Sequence, residues 1–165
     1  MKVREAGPAD AGKLAQLIQQ VEKTSQYMLW EPEEREIQPE NQRKMIERFQ
    51  LEENSTILIA ENNSMLVGYL FAIGGDAQRK KHSAYLVIGI HEQYRGKGVG
   101  TLLFNELDKW AIKNNMHRLE LTVVTRNKAG LSLYQKVGFE IEGTKRDSLS
   151  INGEFFDEYY MAKLF

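Results

Sequence analysis

The run Arg95-Gly96-Lys97-Gly98-Val99-Gly100 places glycines at alternate positions and sets two cations among them. With no Cβ at Gly96, Gly98 and Gly100, a ligand can approach successive backbone N–H groups. The run leads directly into Leu102, Leu103, Leu107, Trp110 and Ala111, an apolar stripe at helical spacing, so the positive end of a helix dipole falls on the same spot. Arg95 and Lys97 offer charge-assisted donors, each contact contributing about 1 kcal/mol when partly exposed. These features describe a cradle for an anion, with pyrophosphate the natural guest. The competing account is a tight strand-to-helix turn that holds nothing, since short glycine motifs often occur without a ligand.

Two familiar phosphate loops do not fit. A P-loop, Gly-x-x-x-x-Gly-Lys-Ser/Thr, would need glycine in place of His91, and here Gly96-Lys97 is followed by Gly98. The dinucleotide fingerprint Gly-x-Gly-x-x-Gly would need glycine at Thr101, although Glu120 lies at a suitable distance downstream.

The pattern that does fit is Arg-x-x-Gly-x-Gly, given by Arg95, Gly98 and Gly100. It follows the strand end Ile88-Gly89-Ile90 and precedes Asn127-x-Ala129-x-x-x-Leu133-Tyr134-x-x-x-Gly138-Phe139. In these motifs, their order and their separation, the sequence resembles the GNAT superfamily of acyl-CoA-dependent N-acetyltransferases. The likeness is strong over Ser83 to Glu142 and rests on element order elsewhere. Glu142-Gly143-Thr144 and the closing Asn152-Gly153-Glu154 through Asp157-Glu158-Tyr159-Tyr160-Met161 look like members acting on small amines, amino acids or protein N-termini.

The resemblance implies an α/β fold with a central, mostly antiparallel mixed sheet and helices on both faces. It implies acetyl-CoA as cosubstrate, no metal, and transfer to a primary amine of a small molecule or a peptide N-terminus by direct attack in a ternary complex. The cofactor would meet the backbone of Ile88, Gly89 and Ile90, the loop Arg95, Gly96, Lys97, Gly98, Val99, Gly100 and Thr101, and also Asn127. Tyr134 matches the tyrosine that protonates the departing thiolate. Many members carry proline three residues before the loop arginine, and Glu92 stands there instead, which implies a modest loss of cofactor affinity. A homodimer is a family-level expectation. The alternative within the same likeness is a non-catalytic module that binds and senses acyl-CoA.

The chemistry makes its own demands. An alkylamine of pKa about 10 must shed a proton before it attacks a thioester, and a thiolate of pKa about 8.5 leaves best beside a phenol. The backbone N–H of Ile90 is the simplest donor to a developing oxyanion. Glu120 is the first candidate base, with His82, Tyr85 and Glu31 also eligible, and Glu31 and Tyr85 are candidate substrate contacts. Tyr134 equally suits an apolar helix stripe, and Asn127 equally suits an N-cap. His82, His91 and His117 have no metal-ligand spacing. The basic run Arg79-Lys80-Lys81 reads as a solvated turn, and so does the acidic cluster Glu31 to Glu36.

Periodicity supplies the elements that position these groups. Lys2 to Glu5 reads as a strand, and Leu14, Leu17, Ile18 and Val21 as the buried stripe of a helix that starts after Pro8 and Asp10. Tyr27 to Gln38 reads as irregular, followed by a helix from Pro39. Thr56 to Ala60 and Leu66 to Ile73 form two strands about a turn, and Ser83 to Ile90 is apolar enough to be central and buried on both faces. A helix follows the glycine loop, then a strand over Leu119, Leu121 and Val123 and a short helix over Asn127 to Val137. Phe139 to Lys145 and Glu154 to Leu164 close the chain around an Asn152-Gly153 hairpin turn. At 165 residues, residues 1–165 read as one domain. A net charge of -1 argues against nucleic acid as partner, and no apolar run is long enough for a membrane. The absence of cysteine removes disulfides, thiolate metal sites and a cysteine nucleophile. The expected compartment is cytoplasmic.

Overall fold

The computed structural model describes residues 1–165. A seven-stranded sheet runs in the order β1-β2-β3-β4-β5-β7-β6, with β1 at Lys2–Glu5, β2 at Thr56–Asn62, β3 at Met65–Gly74, β4 at Ser83–Ile90, β5 at Arg118–Val124, β6 at Glu140–Ile151 and β7 at Glu154–Leu164. Helices α1 (Ala11–Thr24) and α2 (Pro39–Gln50) cover one face, and α3 (Val99–Lys113) and α4 (Lys128–Lys136) the other. Tyr27 to Gln38 holds no helix or strand.

Two apolar clusters join the layers. On one face Leu14, Ile18 and Val21 of α1 and Ile46 and Phe49 of α2 meet Ile57, Ile59, Tyr69 and Phe71. On the other, Leu103, Phe104 and Leu107 of α3 meet Leu58, Val67, Leu70, Leu119 and Leu121. Alternate residues of β2, and of β3 from Tyr69 on, thus point into opposite clusters, as the two-residue period of a strand requires; Val67 breaks the alternation at the register shift opposite Ala60/Glu61. Burying each large apolar side chain contributes about 1.5–3 kcal/mol. Pro39 opens α2 at its first helical position, where its missing N–H costs nothing. Asn152 and Gly153, with φ of 51° and 77°, form the hairpin turn between β6 and β7.

All strand pairs are antiparallel except β4 with β5. That parallel pairing is short: Ser83 with Arg118, Ala84 with Leu119 and Tyr85 with Glu120. Beyond Tyr85, β4 continues to Ile90 against β3, and β5 continues to Val124 against β7. The sheet therefore splits in its middle. This corrects the expectation of a β4 buried on both faces: Tyr85 is 40% exposed and Val87, Ile88 and Ile90 are only half-buried, because this half of the strand lines an open groove. A second correction concerns β6, which runs past Lys145 to Ile151 through a bulge at Lys145/Leu149. Asp147 sits in that bulge with φ of 49°, its N–H donating to the Asp157 carboxylate at 2.8 Å.

Candidate active site

The split between β4 and β5 opens into a groove of about 1320 Å³ between the helix layers. Its direction follows from strand alternation. The N–H of His91 reaches Val67 O at 2.9 Å, so in an antiparallel pair the polar groups of Ile88 and Ile90 turn the other way, toward the gap left by β5. A strand edge is thereby offered to an extended, amide-bearing ligand.

At the far end of β4 the glycine loop closes the groove. Gly96 and Gly98 have φ of 71° and 85°, and a Cβ built at either meets nothing within 4 Å; the left-handed backbone, not crowding, is what favours glycine there. The N–H groups of Gly96, Lys97 and Gly98 reach no backbone carbonyl, and the first bond of α3 runs from Leu102 N–H to Gly98 O at 3.1 Å. Val99, Gly100 and Thr101 accordingly bring the unpaired N–H groups of a helix N-terminus to the same opening. These donors, with the open strand edge, fit a pyrophosphate carrying an amide-bearing arm.

The Arg95 side chain, also in the groove lining, is held by the protein itself. Its guanidinium donates to Ile90 O at 3.1 Å, Thr24 O at 3.2 Å, Thr24 Oγ1 at 2.9 Å and Ser25 Oγ at 3.1 Å. Arg95 thus ties the end of β4 to the end of α1 and holds the loop in place. Lys97 lies over the Tyr94 ring, 5.5 Å from its centroid, and neither Lys97 nor Glu92 lines the groove.

Tyr134 on α4 lines the groove, half-buried, and packs edge-on against Phe104 at 5.8 Å. Burial, and to a smaller degree the nearby Tyr85, push its phenol up to about 12. The hydroxyl stays protonated at neutral pH and is fit to give a proton. Asn127 also lines the groove, and its Oδ1 accepts the Gly130 N–H at 3.0 Å as the N-cap of α4. Across the gap, the Tyr85 hydroxyl lies 3.0 Å from Thr122 Oγ1, linking β4 to β5 just where their backbones part.

The other sequence candidates fall outside. Glu120 does not line the groove; its carboxylate accepts Arg118 Nε at 2.8 Å, and the same guanidinium holds Glu142. Glu31 lies in an exposed turn whose N–H is taken by Glu34, and His82 stacks on His117 at 6.2 Å, also away from the groove. The groove's carboxylates are instead Glu22 and Glu158, neither proposed from sequence. Glu22 had a signal: it follows Ile18 by four on the apolar stripe of α1, where a charge needs a reason. It is buried and paired with Arg35. Tyr69 lines the same groove, its ring end against Gly89, where a Cβ would lie 2.5 Å from the Tyr69 hydroxyl oxygen.

Comparison with known proteins gives concordant results. Residues 19–139 match the acetyltransferase (GNAT) family model. The chain is 34% identical over 111 residues to L-amino acid N-acetyltransferase AaaT of Escherichia coli, covering 65% of this chain and 67% of that protein. A GNAT-family acetyltransferase from Streptococcus pneumoniae superposes with a TM-score of 0.96 at 32% identity, covering 99% of both chains. A phosphinothricin acetyltransferase from Sinorhizobium meliloti in complex with acetyl-CoA shares the fold, with a TM-score of 0.87 at 16% identity over 99% of this chain and 88% of that one.

Proposed function

We propose that this chain, which belongs to the acetyltransferase (GNAT) family and is an acetyl-CoA-dependent N-acetyltransferase, acetylates the primary amine of a small molecule by direct attack in a ternary complex. The observation that carries this is the split of β4 from β5 after Tyr85, with the glycine cradle at one end and the Tyr134 hydroxyl lining the gap. Similarity to an enzyme named for L-amino acids supports a small acceptor.

Acetyl-CoA, when bound, supplies a thioester as acetyl donor. The loop from Gly96 to Thr101 would hold its pyrophosphate, and Ile88 and Ile90 would pair with its arm. The Ile90 N–H, turned toward the gap, donates to the oxygen on which charge develops. Tyr134 gives its proton to the departing sulfur. The surplus proton of the amine leaves toward the carboxylates that line the groove, Glu22 and Glu158. With no cysteine in the chain, no thiol carrier intervenes.

The test follows free-thiol release from acetyl-CoA by the purified chain with amino acids, polyamines, aminoglycosides and short peptides as acceptors. Release that depends on a small amine is the expected result. Tight CoA binding with no release for any acceptor would instead mark a sensing module, and release only with peptides would move the acceptor to protein N-termini.

A further inference from the structure

The Glu22 side chain is 3% exposed yet lines the groove. A carboxylate so placed requires a partner, because leaving it alone costs far more than any surface charge. Its partner is Arg35, whose Nε and one terminal nitrogen both bond Oε1, at 3.1 and 2.5 Å. Oε2 accepts no hydrogen bond. Arg35 comes from the irregular segment between α1 and α2, is 41% exposed, and lies over the Trp30 ring at 4.9 Å. Its second terminal nitrogen donates to nothing. A third group in the groove wall is unfilled: Gln42 Oε1 on α2 is buried with no donor.

The wall thus offers a carboxylate oxygen and a buried amide oxygen, neither holding an N–H donor, beside a guanidinium with donors to spare. Location matches the chemistry. Glu22, Arg35, Gln42 and Tyr69 all line the same groove. The Tyr69 ring in turn touches Gly89, one residue from the Ile90 N–H that faces the gap.

We propose that Glu22 and Arg35 are the two poles of the acceptor subsite, Glu22 with Gln42 taking the ammonium and Arg35 the carboxylate of a zwitterion of the α-amino acid class. This rests on the acetyl-transfer reading above. Charge balance selects the class. A zwitterion exchanges a neutral pair for two neutral pairs, whereas an amine without a carboxylate takes Glu22 and strands Arg35, and a bare anion strands the buried Glu22. Peptide N-termini, whose nearest carboxylate is distant, behave as amines without a carboxylate.

The test is a calorimetric titration of the chain at saturating CoA with α-amino acids and the matching amino acid amides. The amino acids are expected to bind about 10-fold tighter than their amides, the scale of one charge-assisted bidentate contact. Arg35→Gln is expected to bind both alike, and Arg35→Lys to restore part of the difference. Arg35→Gln leaves the buried Glu22 carboxylate without its cation, so its Tm is expected to fall; a thermal melt checks that it still folds, and Arg35→Lys, which keeps the charge, is the second variant. Glu22→Gln is expected to weaken amino acids and amides together. Equal binding of acids and amides by the wild-type chain, no binding of either, or a difference that survives Arg35→Gln overturns the proposal. Acetylation of amines with no preference for zwitterions would overturn this subsite alone. Zwitterion-selective binding without acetyl transfer would overturn the enzymatic reading alone.

Discussion

Tyr134→Phe removes one oxygen atom and separates a chemical role from a packing role. The ring packs against Phe104 at 5.8 Å and Phe139 at 6.3 Å, contacts that phenylalanine keeps. The hydroxyl has no hydrogen-bond partner in the protein, and burial leads the causes that raise its pKa. Its loss should therefore change stability by no more than about 0.5 kcal/mol, or roughly 2 °C in Tm for a chain of this size. The kinetic effect comes from the same environment. A phenol at about 12 gives its proton uphill to a thiolate of pKa about 8.5, which places it at the low end of general-acid contributions, about 10²-fold in kcat. The protonated form is the active one and is lost only as pH rises through about 12, so wild-type kcat should show no alkaline decline below about pH 11. Thiol-release kinetics at saturating substrates, a CoA titration and a thermal melt measure all three. An unchanged kcat, or a large fall in Tm alongside it, would refute the assignment of Tyr134 as acid.

Further outcomes follow from the same geometry. Gly98→Ala places a Cβ at φ of 85°, a strain of about 1–2 kcal/mol with no clash, so a small drop in Tm should accompany weaker CoA binding by titration. Gly89→Ala puts a Cβ 2.4 Å from Tyr69 Cζ inside a filled core. It should cost about 1–3 kcal/mol, at roughly 2–4 °C of Tm per kcal/mol, and an unaltered melt would contradict the contact. Arg95→Ala cuts the ties to Thr24, Ser25 and Ile90, so CoA affinity and Tm should fall together. The Arg4 guanidinium, chiefly by hydrogen bonding, holds the Asp10 carboxyl below its ordinary value. A depressed folded pKa stabilises above the unfolded value near 3.9 and ceases to do so as pH falls through the folded one. Denaturant unfolding should therefore show wild type above Asp10→Asn by a constant margin down to about pH 5, narrowing below about pH 4.

Groups close in sequence were legible, and groups brought together by the chain path were not. The placing of the glycine loop at a helix start could be read because its glycines and the helix they precede are contiguous, and the nearness of Tyr134 to Asn127 because one short helix carries the first and is capped by the second. Alternation correctly put Glu120 on the polar face of β5. It could not reveal that Arg118, two residues earlier on that face, binds its carboxylate while also holding Glu142 across the sheet. The attachment of Arg95 to Thr24, 71 residues away, leaves no local trace. The same holds for Glu22 and Arg35, which meet through an irregular segment whose course no periodicity specifies. The bulge at Asp147 was hidden because no glycine or proline marks it. The part-exposed half of β4 reflects a strand that departs, and an apolar run records only that its neighbours are apolar somewhere.

The central claim is that the split sheet carries an acetyl group from CoA to an acceptor amine. It is tested most directly by incubating the purified chain with acetyl-labelled CoA and the acceptor panel and following the label. The account predicts label on the acceptor nitrogen in step with free-thiol release, with both falling together in Gly98→Ala and Tyr134→Phe. Thiol release with the label appearing as free acetate, or on the protein and not the acceptor, would contradict it.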